Sequence, residues 1–211
     1  MELSLRPLRI LVTDANSKAG LGAVRSLGRA GHTVIAACAS DMDETAFAWS
    51  RYCSDYLHYP DPCYHQLDFC NWMREQATRG VFDVLLPITE VSIFGAAMVR
   101  RQLPSGVLPI LPSDAALEYT LSKFLSTRMA FSLGIECPRT VFISNGQAPI
   151  KMTHCLSGLH FPIVIKSDNH LTLEGGYDTG RTFIAGDARE ADQILDKLVH
   201  LGTPIIAQEF I

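Results

Sequence analysis

Chemistry could begin in the stretch from Phe161 to Ala185, FPIVIKSDNHLTLEGGYDTGRTFIA. Phe161-Pro162-Ile163-Val164-Ile165 is apolar and rich in β-branched side chains, the make-up of a buried strand. Lys166 closes that run, where an ammonium can leave the sheet towards a ligand. The loop that follows holds Gly175, Gly176 and Gly180. Glycine lets backbone N–H groups approach an anion with no Cβ in the way. Arg181 to Ala185 alternates back into strand. A lysine beside a glycine-bearing hairpin loop is a device for holding the phosphates of a nucleotide. The same pattern also suits an ordinary hairpin with a long, solvated turn. Both readings stay open at this level.

The elements that must position these residues belong to a chain of 211 residues, enough for one large domain or two small ones. With 47% hydrophobic and 19% charged residues it can bury a sizeable core. The net charge of -4 argues against a nucleic-acid binder, which shows a basic face. No apolar run reaches the length of a membrane span. Met1 to Pro7 is too short and polar for a secretion signal, so the expected location is the cytosol. Six cysteines, at 38, 53, 63, 70, 137 and 155, form no C-x-x-C pair and read as free thiols. Cys63 and His65, with Cys53, His58 and Cys70 nearby, fit no common zinc spacing.

The amino-terminal half alternates strands and helices. Leu8 to Val12 is a strand, and a polar turn leads into a helix with Leu21, Val24, Leu27 and Ala30 on one face, stopped by Gly31. Thr33 to Cys38 is the next strand, then a short helix over Thr45 to Ser50 and a strand over Tyr56 to Tyr59. A helix from His65 to Arg79 turns Leu67, Cys70, Met73 (with Trp72 beside it) and Ala77 inward. Phe82 to Pro87 is a buried strand, Glu90 to Leu103 a helix, and Leu108 to Leu111 the last strand. This alternation specifies a parallel sheet with helices on both faces. Ligands of such sheets sit beyond the carboxyl ends of the strands. Asn16 and Glu90 therefore lie on the functional rim, although for each taken singly helix capping or turn formation is the simpler explanation. Gly20-Leu21-Gly22-Ala23-Val24-Arg25 carries two glycines of a dinucleotide fingerprint but has Arg25 at the third position, and Asp41 is one candidate for its acid.

From Ser113 the pattern changes. Ser113 caps a short helix over Ala115 to Tyr119, and Ser122 caps a longer one over Lys123 to Leu133, stopped by Gly134, with Phe124, Leu125, Met129 and Leu133 among its apolar positions. Arg139 to Ile143 is a strand, Ile150 to Leu156 a helix, and Asp187 caps a helix running to Leu201 before the final run from Ile205 to Ile211. The second region reads as β-α-β-β-α-β.

Lys123 at the head of its helix, Leu133-Gly134-Ile135-Glu136-Cys137-Pro138, Phe161 to Lys166, the glycine loop and Ile206-Ala207-Gln208-Glu209-Phe210-Ile211 occur in an order that resembles the ATP-grasp superfamily. They are most similar to its carbamoyl-phosphate-synthase-like carboxylate–amine ligases. Asp83-Val84-Leu85-Leu86-Pro87 with Glu90 looks like the strand and exit of that family's pre-ATP-grasp domain, so the resemblance spans essentially the whole chain. It implies an α/β chain: a Rossmann-like domain over 1–112, a helical linker over 113–136, and a small α+β subdomain over 137–211 that ends at the adenine hinge. It also implies ATP with Mg2+. Lys123 and Lys166 would contact the phosphates, the loop around Gly175 and Gly176 would fold over them, and Glu209 would accept from adenine or ribose. The backbone of Phe210 and Ile211 would pair with the adenine edge. In the whole ligase, ATP would phosphorylate a carboxylate or bicarbonate, and an amine would attack the acyl phosphate.

Two departures qualify this. Ser122 stands where the family often has Asp before the first lysine. The sequence also stops at Ile211, ahead of the lobe that holds the family's metal ligands, and Asp187, Glu190, Asp192 and Asp196 lie along one helix and do not replace them. Phosphoryl transfer relies on metal to neutralise and align the phosphates. The expectation is a truncated part of a longer ligase, not active alone, whose partners are ATP and a small carboxylate and amine. An NAD(P)-binding Rossmann protein and a nucleotide-binding module without chemistry are the alternatives. The sequence leaves open whether the protein is a homo-oligomer.

Overall fold

The computed structural model describes residues 6–40, 50–144, 156–171 and 176–211. They fall into two compact units, Met1–Pro112 with Thr172–Tyr177, and Ser113–Leu171 with Asp178–Ile211. Among the described residues no helix is long and apolar enough to cross a membrane.

The first unit is built on β1 (Arg9–Val12), β2 (Thr33–Ala39), β3 (Asp55–Tyr59), β4 (Val84–Leu86) and β5 (Leu108–Pro109). All pairings are parallel, in the order β3-β2-β1-β4-β5. Alternate residues of these strands serve opposite faces. Ile10, Val12, Val34, Ala36 and Cys38 pack with Val24 of α1 (Lys18–Arg29). Leu11, Ile35, Ala37, Tyr59 and Leu85 pack with Phe69 and Met73 of α2 (Gln66–Thr78) and with Ala96 and Val99 of α3 (Glu90–Val99). Both faces are thus covered, as a buried parallel sheet requires.

Three local expectations change. Leu67 is 62% exposed, because α2 buries Gln66, Phe69, Cys70, Met73, Gln76 and Ala77, a 3.6-residue stripe that leaves position 67 outside. Gln66 holds the inward place: its amide donates to the Pro62 carbonyl at 2.9 Å and accepts from Gly95 N at 3.1 Å. Ala30 is the exposed C-cap of α1 rather than part of its inner face. The helix expected to run to Leu103 stops at Val99 and tightens into a 3-10 turn over Arg100–Gln102. The helices expected near 45–50 and 150–156 fall almost wholly outside the described residues, as does Asp41.

The second unit opens with α4 (Asp114–Leu121) and α5 (Lys123–Ser132), capped by the side chains of Ser113 and Ser122. Phe124 is the buried residue of α5, whereas Leu133, expected among its apolar positions, is its exposed C-cap. An antiparallel sheet follows, β6 (Thr140–Ile143), β7 (Ile163–Ser167), β10 (Thr182–Ala185) and β11 (Ile205–Glu209), in the order β10-β7-β11-β6. Two short strands not foreseen in the sequence, β8 (His170–Leu171) and β9 (Tyr177–Asp178), lie along the chain between β7 and β10. Ile163, Ile165, Ile205 and Ala207 turn to one face and pack on Leu195 and Leu198 of α6 (Ala188–Val199). On the opposite face Phe142 meets the α5 side chains Phe124 and Phe131, with ring centroids 5.2 and 6.1 Å apart. The fold is therefore α/β, a parallel sheet and a separate antiparallel one, as the resemblance implied.

Candidate functional site

Strand alternation decides where Lys166 points. Ile163 and Ile165 enter the core, so Val164 and Lys166 turn to the other face. Register places Ile206 opposite Lys166 and Gln208 opposite Val164, and Gln208 therefore shares that face. Lys166 Nζ donates to Gln208 Oε1 at 2.9 Å, and Gln208 Nε2 donates to Thr140 Oγ1 at 3.1 Å. Lys166 is half-buried, outside the apolar cluster.

Lys123 reaches the same end of the sheet through a carboxylate. It is the first residue of α5, and its backbone N donates to Asp168 Oδ1 at 2.6 Å. Asp168 follows the last residue of β7. The Lys123 ammonium donates to the Thr179 carbonyl at 2.8 Å, in the loop that leads into β10. That loop turns at Gly180, with φ at 77° and a Cβ position only 2.3 Å from the Ser167 carbonyl oxygen, so glycine is needed there on both counts.

The other predicted residues occupy different surroundings. Gly175 lies outside the described residues. Gly176 belongs to the first unit, where a Cβ would stand 2.1 Å from the Cys63 carbonyl oxygen. Tyr177 N donates to that same carbonyl at 3.2 Å, and its ring lies 4.5 Å from that of Phe94. Glu209 turns to the α6 side of β11, away from Lys166. Its Oε1 accepts from His160 N at 3.0 Å and lies 2.9 Å from His160 Nδ1. These contacts, the His160 backbone foremost, with Arg139 adding a weaker attraction, hold the Glu209 carboxyl below its ordinary range. Phe210 N donates to the Pro162 carbonyl at 3.1 Å, while the Phe210 and Ile211 side chains are 54% and 93% exposed.

In the first unit, a cavity of about 320 Å³ opens beyond the carboxyl ends of the parallel strands. Asp14, Asn16, Ser17, Tyr59, Cys63 and Thr89 are among its walls. Asn16 is exposed there. Glu90 begins α3 between two wall residues, Thr89 and Val91, and its Oε1 accepts from the Tyr177 hydroxyl at 3.2 Å.

Sequence reasoning passed over Asp14, Asp168 and Gln208. Asp14 sits at φ 51° and accepts from four donors in three separate segments. Asp168 is 5% exposed and joins the end of β7 to the start of α5. A carboxylate withdrawn from water needs such partners, but apart from Thr13, next to Asp14, they lie 44 to 78 positions away, beyond any local pattern.

No family model matches the sequence, and no curated protein does. Solved structures do share its fold. An L-amino acid ligase from Bacillus licheniformis is 16% identical with a TM-score of 0.60, over 98% of this chain and 44% of the ligase. The biotin carboxylase domain of Hydrogenobacter thermophilus 2-oxoglutarate carboxylase, in complex with MgADP, ADP and bicarbonate, is 11% identical with a TM-score of 0.68, over 98% and 45%. The D-alanine–D-alanine ligase of Bacillus anthracis, complexed with ATP, is 13% identical with a TM-score of 0.52, over 97% and 59%. The chain thus spans roughly half the length of the proteins it matches.

Proposed function

We propose, from the premise that this chain has the fold of the ATP-grasp superfamily, that it supplies the amino-terminal, phosphate-gripping part of an ATP-dependent carboxylate–amine ligase. The observation that carries this reading is that Lys166 is the penultimate residue of β7 and the backbone of Lys123 is held by Asp168, the residue just past that strand's end; a triphosphate would draw both ammonium groups from their present partners, Gln208 and Thr179. Two ammonium groups at one site offset the charge of a triphosphate, a task for which lysine serves as a compact, mobile point charge. The hinge follows at Phe210 and Ile211. Because the Phe210 N–H is engaged by Pro162, adenine would pair with the Phe210 carbonyl and the Ile211 N–H. Glu209 would accept from ribose or adenine through Oε2, since Oε1 holds His160. Asn16 and Glu90 would face the carboxylate or amine.

The lysines fit a nucleotide. Among the described residues, however, no group of three or more His, Cys, Asp or Glu converges as a metal site. In this reading Mg2+ accompanies ATP and takes its ligands outside the described residues.

Titration of the chain with a fluorescent ATP analogue tests the reading. Binding is expected, with NAD unable to compete. Lys166→Ala and Lys123→Ala should each weaken it roughly tenfold or more, the worth of a charge-assisted hydrogen bond. Tight NAD binding with no response to ATP would transfer the function to the first β-α-β unit. Unaltered ATP affinity in both lysine variants would refute the assignment of the site.

A further inference from the structure

The geometry points to Asp168 as the positioning residue that aims Lys123 at a nucleotide's phosphates and holds it in register with Lys166. This rests on the ATP reading above and names the residue that makes two separate lysines one site. Asp168 lies two residues after Lys166 in sequence, and its backbone N donates to the Pro204 carbonyl at 2.9 Å, which extends the pairing between the β7 and β11 ends. The carboxyl group is therefore fixed to the sheet. It accepts from Lys123 N at 2.6 Å, from Phe124 N at 3.4 Å and, through its other oxygen, from the Ser122 hydroxyl. Next to it, the Asn169 side-chain amide donates to the Leu121 carbonyl. The turn between α4 and α5 is thus gripped by two consecutive residues that leave β7.

The start of α5 has its own cap, since Ser122 Oγ accepts from Leu125 N at 3.0 Å. One local cap suffices to begin a helix. Asp168 adds something local capping cannot: it fixes the position of the helix's first residue on the sheet. The Lys123 backbone is held at the end of β7, and only the side chain is left to swing between Thr179 and an arriving phosphate. A carboxylate at a helix N-terminus also complements the helix dipole.

A double-mutant cycle in the full chain, read by affinity for the fluorescent ATP analogue, tests this. Asp168→Ala should weaken binding roughly tenfold, like Lys123→Ala, and the double variant should be no weaker than Lys123→Ala alone. Combined with Lys166→Ala, the losses should multiply. Asp168→Asn keeps an oxygen for the Lys123 and Phe124 N–H groups and should recover most of the affinity. Asp187→Ala, which removes the cap of α6 and touches neither lysine, should lower Tm while shifting affinity less than about threefold. Should Asp168→Ala fail to fold, Asp168→Ser, which lacks the reach, replaces it in the cycle. Multiplying losses for Asp168 and Lys123, or wild-type affinity in Asp168→Ala, would overturn the assignment while leaving the ATP reading intact. Absence of any binding by the wild-type chain would overturn both.

Discussion

Replacing Asp14 should destabilise the first unit severely. Its carboxylate accepts from Thr13 Oγ1 at 2.7 Å, Ser92 Oγ at 2.6 Å, Tyr59 Oη at 3.0 Å and Thr89 N at 3.2 Å. In Asp14→Ala, two of these donors have another acceptor already in range: Ser92 Oγ can turn to the Thr89 carbonyl at 3.0 Å, and Thr89 N to Ser92 Oγ at 3.2 Å. The Thr13 and Tyr59 hydroxyls, both buried, are stranded. Each stranded donor costs about 1–3 kcal/mol. Burial, and then the charge of Asp14, push the Tyr59 phenol far above its ordinary range, so it keeps its proton and its need for an acceptor. Alanine also strains at φ 51°, which Asp and Asn tolerate, for about 1 kcal/mol more. The total is about 3–7 kcal/mol for Asp14→Ala. Asp14→Gly should cost about 1 kcal/mol less, and Asp14→Asn, which keeps one acceptor and the backbone preference, about 1–3 kcal/mol. Urea unfolding followed by Trp72 fluorescence reads this directly, since that ring lies 5.3 Å from Tyr59. Trp49→Phe as the common background removes the second indole. A loss under 1 kcal/mol for Asp14→Ala, or a glycine variant less stable than the alanine one, would refute the reasoning.

Two further outcomes follow from features described above and from one ion pair. Gly176→Ala should lower Tm, because its Cβ would fall 2.1 Å from a backbone carbonyl that cannot move as a side chain could; an unchanged Tm would mean that residue 176 is not seated on Cys63. The Arg9 guanidinium and backbone N–H hold the Asp83 carboxyl down to about 2, against an ordinary 3.8. The folded state therefore favours the carboxylate, and the resulting stability is present above about pH 4 and lost as pH falls towards 2. Asp83→Asn should flatten that part of the acid limb in a pH series of thermal melts, and a limb of unchanged slope would count against the pair.

The two-layer plan was legible because periodicity is local. Leu8 to Val12, Thr33 to Cys38 and Phe82 to Pro87 announce buried strands by composition, and Val24, Met73, Leu195 and Leu198 fall on helix faces as their spacing requires. Leu67 failed for the same reason: the stripe of α2 is set by Phe69 and Met73, and the buried place next to Leu67 goes to Gln66 once Pro62 and Gly95 satisfy its amide. The lysines could be picked out, since a charge at a strand end or helix start is visible in one dimension. Their supports could not. Asp14 reads as a turn residue and Asp168 as part of a loop until partners such as Ser92 and Ser122 arrive from distant segments. Ser122 shows this most directly. Read alone it lacks the acid that the resemblance expects, and in the fold its hydroxyl donates to the carboxylate of Asp168.

Gln208 gives the lysine of β7 a resting place that carries no charge of its own. An amide oxygen is a weaker acceptor for ammonium than an ionised one. Nucleosides without phosphates, which bring no anion to this end of the sheet, should leave the Lys166–Gln208 contact undisturbed, whereas a triphosphate should draw Lys166 away and free the amide. Selection against adenosine would then arise from an exchange of partners rather than from the shape of a pocket.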